Sequence, residues 1–389
     1  KRASLVAFSA TSIAALVLAA CAPAATPAPA VETVRIYSSL PLTGSSAGQT
    51  TTIVNAINLA IEQQTNGGMV CEDKIKIDYV SLDDATAAAG QWDAAKEQEN
   101  ANKAVADPDT VVYIGTFNSG AARVSIPILN EAGIVMVSPA NTADDLTAGE
   151  DTAKYYPNGV RNYTRVVARD AYQGAFAAKW AAKLGAKNVY ILDDTQIYGK
   201  GVADQFEANT AANGLTVVGR DGIDGKAADY KALATKIAGT NPDLIYYGGI
   251  TQNNAGQLLK DIRAAGITAM FMGPDGILES AFIEAAGADI AEGVYGTIAG
   301  NPRAKLPEAG QKFYADYQAK FNSEPEAYAI YGFEAASVAI KAISTVCAKD
   351  RAAILNAVYT TKDFAGVLGT WSFDANGDTN LYAMLGNVV

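Results

Sequence analysis

Short apolar runs that break into polar or glycine-rich loops, each followed by a stretch with helical spacing, recur through the chain. The clearest pair begins at Val111-Val112-Tyr113-Ile114-Gly115, which breaks into Thr116-Phe117-Asn118-Ser119-Gly120. A helical segment over 121–132 follows. A second apolar run, Ile134-Val135-Met136-Val137-Ser138, then breaks into Pro139-Ala140-Asn141-Thr142. Strands alternating with helices predict an α/β fold, a mostly parallel sheet with crossover helices. In such a sheet both loops fall at the carboxyl edge of neighbouring strands, where open α/β sheets bind ligands. The pattern therefore predicts that Ser119 and Thr142 face each other across one crevice.

The same rhythm runs before and after this stretch. Residues 34–40 read as a first strand. The helix after it carries Ile53, Ile57, Ala60 and Ile61 on one face, with the spacing i, i+4, i+7, i+8, and stops at Asn66-Gly67-Gly68. Lys74-Ile75-Lys76-Ile77-Asp78-Tyr79-Val80 alternates as a strand does, and 91–106 reads as a polar helix. The pattern loosens over 144–157 and then resumes. Strands are predicted over 163–167, 188–192, 215–219, 244–247 and 269–272, with helices over 172–184, 201–213, 230–238 and 254–265. Two long helices, 308–321 and 328–346, precede short strands over 371–373 and 381–388. Read this way the chain holds two α/β units in tandem, without fixed-period repeats, and a boundary near 145–160.

Composition narrows the function. A chain of 389 residues with 49% hydrophobic and 18% charged residues is globular, with a sizeable core. A net charge of −11 argues against nucleic-acid binding, which depends on Lys and Arg at phosphates. The absence of histidine excludes Ser-His-Asp and Cys-His nucleophile systems and histidine zinc sites. With no nucleophile motif either, no enzyme activity is expected. Asp83-Asp84 reads as a solvated loop, because two carboxylates fall far short of a calcium shell. Asp374-Ala375-Asn376-Gly377-Asp378 reads as a turn. Neither a metal nor a cofactor is implied.

The start of the chain reads as an export signal. Lys1 and Arg2 precede a weakly apolar stretch that ends in Leu18-Ala19-Ala20-Cys21. This resembles a bacterial lipobox, in which Cys21 is acylated and becomes the mature N-terminus, with 22–32 as a linker. An exported protein tethered by lipid at Cys21 is expected, on the outer face of the cytoplasmic membrane or in the periplasm. Cys71 and Cys347 remain in the body, an even count that suggests a disulfide, with two separate thiols as the alternative. No apolar run after Cys21 approaches the roughly 20 residues of a membrane span.

Several runs taken together resemble one family. They are Leu40-Pro41-Leu42-Thr43-Gly44, the Tyr113 to Ser119 run, Ser138-Pro139-Ala140-Asn141-Thr142, Asn241-Pro242-Asp243 with the strand after it, and Met272-Gly273-Pro274-Asp275-Gly276. This combination resembles the leucine/isoleucine/valine-binding proteins, substrate receptors of ABC importers with the type I periplasmic-binding fold. The resemblance implies two α/β lobes joined by three crossovers, with 33–156 and 277–362 in one lobe and 157–276 and 363–389 in the other. It also implies an amino acid held between the lobes and handed to an ABC permease.

By the same resemblance Ser119 suits the ligand carboxylate, and the Ala140 carbonyl and Thr142 hydroxyl suit the ammonium. Asp275 stands where the family has a glutamate for that ammonium. Tyr198 and Tyr328 match aromatic residues of the pocket. Helix-cap, turn and packing roles stay open for these positions. Two departures touch the side-chain end of the pocket: the loop 44–49 lacks the family's aromatic residue, and Ile250 stands where a tyrosine is expected. A receptor for an amide, urea or aromatic acid, or a ligand-sensing ectodomain, remains an alternative.

Overall fold

A computed structural model of the chain describes residues 31–389, so the export signal, Cys21 and most of the linker lie outside the described residues. Two six-stranded sheets organise the rest. In the first the order is Met69–Val70, Ile75–Asp83, Glu32–Leu40, Thr110–Gly115, Val135–Ser138, Tyr163–Arg165. All neighbours are parallel except the two-residue hairpin strand at its edge. The second runs Thr216–Gly222, Asn188–Asp193, Leu244–Gly248, Met270–Gly273, Tyr295–Ala299, Met384–Val388, with only the last strand antiparallel. Helices cover both sheets, as parallel strands require. The chain passes between the sheets three times.

Sheet membership moves three segments across the boundaries expected from the sequence. Tyr163–Arg165 pairs with Val135–Ser138 and so completes the first sheet. Tyr295–Ala299 pairs with Met270–Gly273 in the second. The hairpin of Phe364–Gly366 and Gly369–Trp371 packs on the first core, where Trp371 joins Ile354 and Val358 in one apolar cluster. The loosened stretch after Thr142 belongs to the first lobe. It forms short 3-10 turns, and its Leu146, Tyr155 and Tyr156 pack with Ile126 and Leu129 of the first lobe.

The helix Ala329–Val346 is the axis of the first lobe. It is mostly apolar because it is buried from Ala329 to Ile340, packed on the helix Ala47–Gln64, while Lys341 and Thr345 reach the surface. Gly332 permits the close approach, since a side-chain carbon there would meet Ile53 at 2.6 Å. At the end of this helix Cys347 is bonded to Cys71. Asp83 is the last residue of the strand Ile75–Asp83 and not a loop residue, and its carboxylate accepts from the Leu42 and Ala85 amides. Asp84 corrects the expectation of a solvated pair: it is wholly buried beside Glu97.

Candidate ligand-binding site

The strand Thr110–Gly115 ends at the cleft, and its loop feeds the helix Ser119–Glu131. The helix cap is Asn118, with extended backbone, so Ser119 is the first helical residue and its hydroxyl is free for another role. That hydroxyl accepts from the backbone amides of Thr142 and Ala143, both at 3.3 Å. The two loops are thereby tied together. A serine oxygen that accepts from two amides has its own proton left to donate.

Asn141 makes a second tie. Its carbonyl accepts from the Thr116 amide at 3.2 Å, and its amide group donates to the Phe117 carbonyl at 3.0 Å. Beneath them, Arg165 is wholly buried. It donates to Asp378 at 2.6 Å and to the carbonyls of Asn141 and Ala143 at 3.2 and 2.8 Å. The loop that carries Thr142 is therefore held by a charged anchor that sequence reasoning did not find. Its partner lies 213 residues away, and nothing near Arg165 signals it.

The opposite wall comes from the second sheet. After Met270–Gly273 the chain enters a single 3-10 turn, Asp275–Ile277. Tyr198, in the first turn of the helix Ile197–Ala208, donates to Asp275 Oδ1 at 2.9 Å and accepts from the Gly276 amide at 3.2 Å. Tyr328, from the first lobe, donates to Asp275 Oδ2 at 2.7 Å. Gly276 must be glycine: a side-chain carbon would lie 2.5 Å from the Gly249 carbonyl oxygen and 2.9 Å from the Tyr198 ring. Burial lifts the Asp275 carboxyl above the ordinary carboxylate range, and bonds from Tyr328, Gln173 and Tyr198 temper the rise.

Ser119, Ala140, Thr142, Tyr198, Asp275 and Tyr328 all line one cavity. Phe117, Asn118, Ile250 and Gly276 complete it. Phe117 meets Tyr328 edge to face, with centroids 5.7 Å apart and planes at 82°. The polar lining is a carboxylate, a serine hydroxyl and a helix start, where unpaired amides and the helix dipole favour an anion. Phe117, Ile250 and the Tyr328 ring give the same cavity its aromatic and aliphatic surface. Among the described residues no group of three or more Cys, Asp or Glu side chains could hold a metal.

The lobes also touch outside the cavity. Gln49, in the first turn of the helix Ala47–Gln64, donates to Glu279 of the second lobe at 3.3 Å, and Gln252 donates to the same carboxyl at 2.9 Å. Gln91 donates to Asn253 at 3.3 Å, and Ser280 donates to Glu326 at 2.6 Å. These contacts were not legible beforehand, because each joins residues with no sequence relationship.

A cavity between two parallel α/β lobes, with a helix start opposite a buried carboxylate, defines a two-lobed solute-binding protein. The sequence model of the family described as "Periplasmic binding protein" matches residues 33–385. The Leu/Ile/Val-binding protein BraC3 of Rhizobium johnstonii is 31% identical over 340 residues, which cover 87% of this chain and 86% of that relative. The chain belongs to the periplasmic binding protein family.

Solved structures agree in fold. The leucine-binding protein LivK of Thermotoga maritima superposes with a TM-score of 0.80 at 27% identity, over 92% of this chain and 95% of that one. LivJ of Streptococcus pneumoniae, solved in complex with isoleucine, superposes with a TM-score of 0.77 at 24% identity, over 92% of this chain and 99% of that one.

Proposed function

We propose that this chain is the extracytoplasmic receptor of an ABC importer and that it captures an apolar amino acid between its lobes. The observation that carries the reading is Asp275. It is a buried carboxylate whose bonded neighbours, two tyrosine hydroxyls and the Gln173 amide, are all uncharged, set across one cavity from Ser119 and the start of the helix Ser119–Glu131. The ligand ammonium binds Asp275, the Ala140 carbonyl and the Thr142 hydroxyl. The ligand carboxylate takes the Ser119 proton and the amides at the helix start. The side chain lies against Phe117, Ile250 and Tyr328. An aromatic acid would supply the anion but no cation, leaving the Asp275 carboxylate buried without an opposite charge. The likeness to branched-chain amino-acid receptors points the same way.

Capture needs hinged closure, which the ligand drives through its higher affinity for the closed form. The permease then receives the closed form, from a receptor held at the membrane by lipid on Cys21. Titration calorimetry with a panel of amino acids, amides, urea and benzoate tests the reading. Leucine, isoleucine or valine should bind, and Ser119→Ala combined with Asp275→Asn should abolish that binding. Unchanged affinity in the double variant, or binding of benzoate in place of amino acids, would overturn it.

A further inference from the structure

A buried carboxylate outside the cavity links the cavity wall to one of the contacts between the lobes. Asp194 follows the strand Asn188–Asp193 and is buried, yet it does not line the cavity. Its Oδ1 accepts from the Gln196 amide at 3.0 Å, where the helix that carries Tyr198 begins. Its Oδ2 accepts from the Ile250 amide at 3.2 Å and from the Asn253 side-chain amide at 2.7 Å. Ile250 and Tyr198 both line the cavity. The Asn253 side-chain carbonyl in turn accepts from Gln91 of the first lobe at 3.3 Å. An unbroken series of hydrogen bonds thus runs from the cavity wall of the second lobe, through Asp194 and Asn253, across to the first lobe.

The first-lobe end of this series is also mounted at the ligand site. Gln91 belongs to the short strand Gln91–Trp92, which pairs with Ala85–Thr86. The Trp92 ring lies over Gly120, the residue after Ser119, where a side-chain carbon would stand 2.5 Å from it. Gly199 allows an equally close fit at the other end: a side-chain carbon there would stand 2.2 Å from Asp194 Oδ1.

A buried carboxylate is costly unless it is bonded, and the three donors to Asp194 are all neutral. Arg220 pairs with the neighbouring Asp193. Burial lifts the Asp194 carboxyl to about 6, and the bonds from Asn253, Gln196 and Ile250 temper the rise. At pH 7.5 the group is therefore charged, and a charged acceptor holds its donors more tightly than a neutral one.

We propose that Asp194 is a positioning residue for capture, fixing Ile250, the start of the Tyr198 helix and Asn253 in one arrangement, so that a filled cavity and the Gln91–Asn253 contact reinforce each other. The ligand orders Ile250 and Tyr198 from the cavity side, and Asp194 passes that order to Asn253 behind them. This rests on the amino-acid reading above and goes past it, because affinity then depends on a side chain that touches no ligand.

Leucine titrations at pH 7.5 of the wild type, Asp194→Asn, Gln91→Ala and the double variant test the idea as a cycle. Asparagine keeps the size of the side chain but offers one acceptor oxygen and no charge. Asp194→Asn should bind leucine about tenfold more weakly, as loss of a hydrogen bond to a charged group does. Gln91→Ala alone should cost about threefold, the loss of a neutral hydrogen bond. In the Asp194→Asn background the same change should cost less than about 1.5-fold, because Asn253 is no longer held to meet Gln91. A carboxylate that only stabilises the second lobe gives additive losses instead, since Gln91 stands on the other lobe.

The cycle is repeated with Asp194→Ser, so that poor folding of one variant does not decide the outcome. Additive losses overturn the proposal, and so does affinity within about twofold of wild type in either Asp194 variant. Failure of both variants to fold overturns it as well. If the wild type binds no amino acid, the reading beneath it fails, and the wild-type titration alone reveals that.

Discussion

The Tyr328 hydroxyl of the first lobe donates to Asp275 Oδ2 of the second at 2.7 Å. This bond spans the cleft at the cavity itself, so it exists only while the lobes are together. Asp275 also receives the Tyr198 hydroxyl from its own lobe. Tyr198 sets the carboxylate's direction before closure, and Tyr328 rewards closure. In the proposed binding mode the polar end of the ligand and the latch share one residue.

Tyr328→Phe keeps the ring against Phe117 and removes only that donor. Hydrogen bonds to charged groups contribute about 1.5–3 kcal/mol, so affinity for the amino acid should fall by about tenfold or more. The unliganded melting temperature should change little, since the bond joins lobes rather than holding either one. Calorimetry and thermal unfolding on one preparation separate the two effects. Wild-type affinity in Tyr328→Phe would remove Tyr328 from the latch.

How much of this was legible in the sequence follows from how local each signal is. The loop pair with Ser119 and Thr142 was readable because each loop interrupts an apolar run, and adjacent parallel strands place such loops at one edge. The helix start was read two residues late, because its cap is Asn118, whose side chain makes no cap bond. The strand Tyr295–Ala299 gave no usable pattern. Gly296 interrupts it, and that glycine is needed because a side-chain carbon there would meet Leu278 at 2.2 Å. Arg165 carries no local mark at all. Its burial follows from elements that converge only in the folded chain, so the charged support of the Thr142 loop had to be seen rather than read.

The Cys71–Cys347 bond closes a loop with a sequence separation of 276. In the chain-entropy account such long loops give the larger stabilisations, about 5–6 kcal/mol as an upper value. The bond joins the end of the helix Ala329–Val346 to the turn after Met69–Val70, at the edge of the first lobe. Cys71→Ser with Cys347→Ser should lower the melting temperature by roughly 10 °C. Ligand affinity at 25 °C should stay within a few-fold of wild type, because neither cysteine lines the cavity. A large loss of affinity with an unchanged melting temperature would contradict this account.

Glu279 makes closure depend on pH. Burial between Gln49 of the first lobe and Gln252 of the second pushes its carboxyl from the ordinary 4.5 up to about 7, and the amide donors only partly offset that. In the open form the same carboxyl meets water and returns toward its ordinary range. The closed form therefore holds the proton more tightly. Closure is favoured in full below pH 4.5 and weakens as pH rises through about 7, by at most about 3 kcal/mol. Small-angle scattering of the unliganded protein should show a radius of gyration that grows from pH 5.5 to 8.5. Glu279→Gln keeps a neutral, hydrogen-bonding side chain between the lobes, so the variant should stay compact across that range. A radius independent of pH in the wild type, or the same growth in Glu279→Gln, would exclude Glu279 as the titrating latch.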